Sequence, residues 1–409
     1  MEIWRRNLYI LMVSQFLVMC AMSMIIPFLP LYLQEMGVTD PDQTQLWSGL
    51  IFGINFLSAF LMAPIWGNLA DKMGRKIMIL RSGYGMTIVI FLMGLAISPL
   101  QLLFLRLLNG TISGFIPASI SLVATNTPKE RAGYALGMLQ SGTVAGNIIG
   151  PFIGGLMAEI VGFRTIFFLT SLTIGLATVV VNLTVKEEAK PDPEKKQKGF
   201  IADGSEILHQ KALPILFLVG FMLQFAMVAP MPQMSLFVSD LGAPGGYIAF
   251  FAGLVSAVTG LANMLASPLL GRLGDKFGSE KVLFFSMLGA SVFFIPHAAV
   301  SAVWQLLIFR FLLGLCVGGL LPSLNTLIRK NAPIGKESTA YGYSTSAVFL
   351  GNMLGPITGG VLSGIIGIRG LFLLTAFLLI CGAFLLRRRL PDSPSQFQRQ
   401  SHSQKVASK

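Results

Sequence analysis

The chain has 409 residues, 54% of them hydrophobic and only 12% charged. Soluble domains carry about 25% charged residues, so a large water-facing surface is excluded and a membrane-embedded chain is expected. The net charge of +12 sits mostly in short loops and at the tail, with no basic face interleaved with aromatics. That excludes a nucleic-acid groove and suits anionic lipid headgroups.

In chain order, MEIWRRN leads into an apolar run far longer than a signal-peptide core, with no small-residue cleavage site. An uncleaved first transmembrane helix is expected. Uncharged runs such as Asn7–Gln34, Gln43–Ala70 and Ala132–Ala158 each reach the roughly 20 residues that cross a bilayer as a helix. Twelve spans are predicted near 8–33, 46–67, 77–97, 100–124, 133–158, 164–185, 212–238, 246–270, 281–298, 302–327, 338–363 and 369–387. Lys186–Lys211, containing KEEAKPDPEKKQKG, reads as a solvated linker. The expected organisation is an all-α polytopic protein: a six-helix bundle over 1–185, a linker over 186–211, a second bundle over 212–389 and a disordered tail over 390–409. Cys20, Cys316 and Cys381 lie in apolar runs without CxxC or metal spacing, so no disulfide framework, metal or cofactor is expected.

Arg5, Arg6, Lys72, Arg75, Lys76, Lys129, Arg131, the linker lysines and Arg387–Arg389 alternate with loops that hold only Arg164 and Arg369. The positive-inside rule places both termini, the linker and the loop after the second span in the cytoplasm. A shift of 204 or 205 residues lays Pro64 on Pro268, Asp71 on Asp275, Arg106 on Arg310, Asn147 on Asn352 and Pro151 on Pro356. Six spans per copy make the repeats parallel, related by an axis along the membrane normal, with a site expected at midplane.

Two motifs stand out. GNLADKMGRK at Gly67–Lys76 is a charged island between apolar runs, and it returns as GRLGDKFGSEK at Gly271–Lys281. In span five, Gly137, Gly146, Gly150, Pro151, Gly154 and Gly155 recur in span eleven as Gly342, Gly351, Gly355, Pro356, Gly359 and Gly360. Small residues four apart let another backbone approach, and proline removes a donor and bends the helix. Static packing and a rocking interface both fit that pattern.

Together these motifs resemble the major facilitator superfamily, and within it the twelve-span drug:proton antiporters. IIPFLPLYL, FLRLLNG and the LRRRLP tail are similar to those of bacterial multidrug pumps of the MdtG/PmrA kind. The resemblance implies alternating access around a cavity lined by spans 1, 4, 7 and 10. It makes Gly67, Asp71, Gly74, Arg75 and Lys76, with Asp275 in the second copy, a conformational latch. Arg75 is then the charge partner of Asp71, and Lys76 a lipid-facing base. Ser279 and Glu280 replace the Arg-Lys pair in the second copy, so the latch is expected to be asymmetric.

Arg106 and Arg310 interrupt spans four and ten. At an insertion cost of about 2.5–3.5 kcal/mol, each should face a bundle interior or a wet cavity. The resemblance gives Arg106 a part in proton movement. None of the 18 acidic residues falls in mid-span, so the cavity should be neutral or electropositive and its cargo neutral or weakly anionic. Candidate lining residues are Gln15, Met19, Met22, Ser23, Asn109, Ser113, Met222, Gln224, Phe225, Met227 and Asn325; flexible methionine and aromatic surfaces suit varied ligands. His297 reads as an interfacial residue at an outer span end. The expected function is export of drugs or amphipathic small molecules by proton antiport, with a dedicated exporter of one metabolite as the alternative. No nucleic-acid partner or catalytic residue is expected, and the protein should act as a monomer. An intramembrane enzyme would need paired carboxylates or a His cluster at depth.

Overall fold

The computed structural model describes residues 2–128, 131–187, 207, 209–210, 212–333 and 337–389, without the side chains of Asp71, Glu337 and Ser338. Most of the expected linker and all of the expected tail lie outside these residues.

The described chain is helical: α1 (Ile3–Met24), α2 (Leu29–Glu35), α3 (Pro41–Met73), α4 (Arg75–Gly94), α5 (Pro99–Ile112), α6 (Phe115–Asn126), α7 (Ala132–Val161), α8 (Phe163–Thr184), α9 (Leu213–Val228), α10 (Met234–Asp240), α11 (Ile248–Phe277), α12 (Ser279–Phe294), α13 (Val303–Val317), α14 (Leu320–Asn331) and α15 (Glu337–Arg389). The starts follow local chemistry. Asp40 accepts from the Gln43 amide (3.1 Å) before α3, and Ser98 accepts from the Gln101 amide (3.3 Å) before α5. Proline follows each cap, where its missing donor costs nothing.

Among the described residues, ten helical stretches are long and apolar enough to cross a membrane. One of them, Thr339–Arg389, has 51 residues and holds two spans, because Gly367 breaks it at φ 73° and ψ 164°. The seventh span is the shorter α9. This accounts for the twelve expected spans. The repeat is visible in the backbone too: Gly74 (φ 100°) and Gly278 (φ 103°) separate paired helices in the two halves, as do Gly162 (φ 78°) and Gly367 (φ 73°). That left-handed region is open cheaply only to glycine.

By packing, the chain forms two compact units. One takes in Met1–Lys196 with Met231–Ala257, the other Gln197–Pro230 with Val258–Lys409. In the first, α1 lies along α7 and α4 along α8; in the second, α9 lies along α15. The glycines set the first of these distances. A Cβ on Gly142, Gly146, Gly150 or Gly154 would run into the carbonyl of Met12, Phe16, Cys20 or Met24 respectively, a ladder with four-residue steps on both helices. Gly351, Gly355 and Gly359 meet Phe221, Phe225 and Ala229 in the same way. Each seam is pinned by a glutamine amide: Gln15 donates to Thr143, and Gln224 to the Asn352 side chain (3.0 Å), both across 128 residues.

Gly150→Val should therefore cost about 2–3 kcal/mol, the upper range of overpacking, because the atoms it meets are largely backbone. Gly137→Ala, with no neighbour within 4 Å, should be neutral or stabilise by up to about 1 kcal/mol. Thermal unfolding of the two detergent-purified variants checks the difference.

Candidate functional site

The charged loop joins α3 to α4 and is held by residues of α1, α6 and α8 and by the chain that follows α8. Gly74 ends α3, leaving the first amides of α4 without partners. A carboxylate fills that place. Glu187 accepts from the Arg75 and Lys76 amides, at 2.9 Å each through its two oxygens, and pairs with the Arg75 guanidinium at 3.8 Å. Glu187 is held there by Asn7, whose amide nitrogen donates to the Lys186 carbonyl (2.6 Å) and whose oxygen accepts from the Lys186 amide (3.2 Å). Asn126 also donates to that carbonyl at 3.3 Å. A negative charge at a helix N-terminus is favoured by the dipole as well as by the hydrogen bonds.

Arg75 Nε donates to Ser121 (3.1 Å), joining α4 to α6. Lys76, expected to face lipid, is half-buried and its amine donates to the Asn182 carbonyl at 2.8 Å. The side chain of Asp71 lies outside the described residues. Gly67 has open space around it, and Asp275 is exposed on α11.

Span four is discontinuous. Between α5 and α6 the chain passes through Ser113 and Gly114 (φ 141°), freeing carbonyls inside the membrane. Trp66 Nε1 donates to the Thr111 carbonyl at 2.7 Å. Arg81 Nη2 donates to those of Ile112 and Ser113 at 3.1 and 3.2 Å, its guanidinium 3.5 Å above the Trp66 ring. This staple is absent from the sequence reading; an arginine within an apolar span was the available signal.

One turn before the break, Asn109 is buried and donates to Asn55 at 2.9 Å. Arg106 is only 7% exposed, and its Nε and Nη2 meet no acceptor among the described residues. Arg310 is likewise buried, with its guanidinium 5.9 and 5.8 Å from the Phe294 and Phe372 rings.

Of the candidate lining residues, Gln15 and Ser23 are fully buried on the α1–α7 seam, Ser23 donating to Gly146 O at 3.1 Å. Met19, Met22, Met222, Gln224, Phe225 and Met227 are half-buried, and Asn325 is exposed. Ser113 bonds back to Gly110 O at 2.8 Å. The polar members are thus largely engaged in helix packing, and the methionines keep partly open surfaces.

His297 is not interfacial. A short 3-10 turn, Ile295–Ala298, folds the ring inward, where it is fully buried. Its Nδ1 lies 2.6 Å from the Phe293 carbonyl, and Phe372, Phe294 and Phe309 surround the ring at 5.3, 5.5 and 6.3 Å. At the far end of α7, Glu159 accepts from the Ala249 amide (2.8 Å) and Phe250 amide (3.4 Å), capping the start of α11. Gly155 packs on Ala249 in the same place.

A profile of the Major Facilitator Superfamily matches residues 11–259 and 216–408. The chain belongs to this superfamily. It is 39% identical over 394 residues to "Multidrug resistance protein MdtG" of Escherichia fergusonii, covering 95% of this chain and 97% of that relative. It is 40% identical over 375 residues to "Uncharacterized MFS-type transporter YuxJ" of Bacillus subtilis, covering 91% and 95%. Among solved structures, an inward-facing, occupied bacterial homolog of the human lysosomal transporter Spinster superposes with TM-score 0.79 at 16% identity, over 95% of this chain and 98% of that one. The nucleoside transporter NupG does so with TM-score 0.79 at 13% identity, over 94% and 100%. These two share the fold. The protein is a multi-pass membrane transporter of this superfamily.

Glu187→Gln keeps the shape of the cap and removes its charge. It should cost about 1–2 kcal/mol, since a charge-assisted bond and a dipole contact are both weakened. Glu2→Gln, removing an exposed pair with Arg5 at 3.5 Å, should change stability by less than about 0.5 kcal/mol. Unfolding temperatures of the two variants give the comparison.

Proposed function

We propose that this transporter exports drugs or other amphipathic small molecules across the bacterial cytoplasmic membrane by proton antiport, through alternating access. The observation that carries this reading is the pairing of the twice-repeated charged loop with the glycine seam, in a chain 39% identical over 95% of its length to a protein named for multidrug resistance. Both termini and the central linker face the cytoplasm, and the protein works as a monomer.

In this reading Asp71 is the latch acid of the charged loop. The capped, tethered start of α4 supports the assignment, since a moving loop needs a rigid anchor. The spans hold no mid-membrane acid, while Arg106 is buried with two guanidinium nitrogens that meet no acceptor among the described residues. Neutral or weakly anionic cargo therefore suits the interior better than dications. The half-buried methionines of α1 and α9 are the substrate-facing candidates.

Dye and antibiotic accumulation in a pump-deficient host tests the reading. Expression should lower the accumulation of several unrelated compounds, and a protonophore should restore it. One chemically narrow hit would favour a dedicated exporter of a single metabolite. Asp71→Asn should abolish export while the protein still reaches the membrane. Arg106→Ala should reduce export of neutral and anionic compounds most; equal loss for large cations would count against the electropositive interior.

A further inference from the structure

The two halves differ in how the break in the fourth span of each is covered. In the first half, Trp66 and Arg81 cover the carbonyls of Thr111, Ile112 and Ser113. A shift of 204 residues puts Leu270 at the place of Trp66, Phe285 at Arg81, Leu315 at Thr111 and Cys316 at Ile112. Those four residues line a groove of about 490 Å³. The indole and the guanidinium that fill the first half have no counterpart in the second. At the second break Ser267 donates to the Gly318 carbonyl at 3.0 Å and the Gly319 amide to Cys316 O at 3.3 Å.

The groove is of ligand-pocket size, within the roughly 300–1,000 Å³ such sites occupy. Its walls are almost wholly apolar, and the flanking Phe277 and Phe285 are 53% and 66% exposed on membrane-spanning helices. Lys281, in the first turn of α12, is its one charged lining residue. Lys276 stands beside it, its amine 5.1 Å above the Phe277 ring. The two nearby carboxylates do not line the groove: Asp275 is exposed on α11, and Glu280 is buried with a carboxylate oxygen close to Gly278.

We infer that this groove holds an anionic diacyl phospholipid, its acyl chains along Leu270, Phe285 and Leu315 and its phosphate at Lys281. An apolar slot that opens to hydrocarbon and ends in an ammonium at the base-rich end of the helices matches that molecule in both parts. The lipid takes the space that Trp66 and Arg81 take in the first half. The site is independent of what the transporter exports.

Native mass spectrometry of the purified full chain, exposed to equal amounts of phosphatidylglycerol and phosphatidylcholine, tests this. The wild type should retain phosphatidylglycerol about fivefold in preference, the selectivity expected of one lysine near the headgroup. Lys281→Gln should bring the ratio near one while a lipid is still retained. Lys72→Gln, on the first-half loop, should leave the preference intact. The double variant Leu270→Trp with Phe285→Arg, which rebuilds the first-half staple, should lose the retained lipid; if it does not fold, Lys281→Gln decides alone. Equal retention of both lipids by the wild type, an unchanged preference in Lys281→Gln, or an equal loss of preference in Lys72→Gln would overturn the site. Displacement of the lipid by excess glycerol phosphate would mark a free-anion site and overturn it as well.

Discussion

A bilayer core offers no water, so every backbone amide and carbonyl inside it must find a partner in the protein. Most of this chain meets that constraint by being helical, and its departures from regular helix are where side chains take up the remainder. The break at Ser113 and Gly114 is tolerated because an indole N–H and a guanidinium reach three freed carbonyls. At the corresponding break in the second half a serine hydroxyl and a local amide take up the carbonyls of Gly318 and Cys316. One requirement has been met twice, with bulky groups in one copy and small ones in the other. The difference in bulk leaves the groove.

The same absence of water removes the hydrophobic drive between helices, so close packing must hold them. On α7 the seam glycines fall at every fourth residue opposite carbonyls of α1 at every fourth residue. That spacing brings backbones close enough for many weak dispersion and Cα–H···O contacts, none of which resists sliding as a deep side-chain knob would. The glutamine bonds from Gln15 and Gln224 then fix the register of each seam. Polar residues that look ligand-facing in a sequence are here occupied in holding helices together.

Much of this was legible in the sequence. Hydropathy gave the spans, because length and apolarity are all a bilayer asks of a helix. The repeat gave the pairing of Gly74 with Gly278, inside the two copies of the charged loop. The glycine face of span five was readable from its period, although Gly142, which continues the ladder, was missed. Glu187 was hidden because it opens a run of lysines, glutamates and prolines whose composition reads as solvated linker; only the reach of Asn7 to Lys186 shows that it is anchored. His297 was misjudged because position along a span fixes depth but not direction. A 3-10 turn rotates it from the surface into the aromatic cluster.

The acids have a common logic. None lies in mid-span, and two of those near span ends, Glu187 and Glu159, are set against the first amides of α4 and α11. At a helix start the exposed N–H groups and the dipole supply much of what a cationic partner would. The alternatives differ when the contact opens. Separating a buried Arg–Glu pair strands a charge on each side, at a cost of several kcal/mol. Separating a carboxylate from a helix start strands one charge through that contact, although Glu187, paired with Arg75 at 3.8 Å, would give up an ion pair as well. The freed amides lie at a helix terminus where water can reach them. A carboxylate held by amides alone is therefore cheaper to release than a buried ion pair, and both Glu187 and Glu159 stand at the ends of spans.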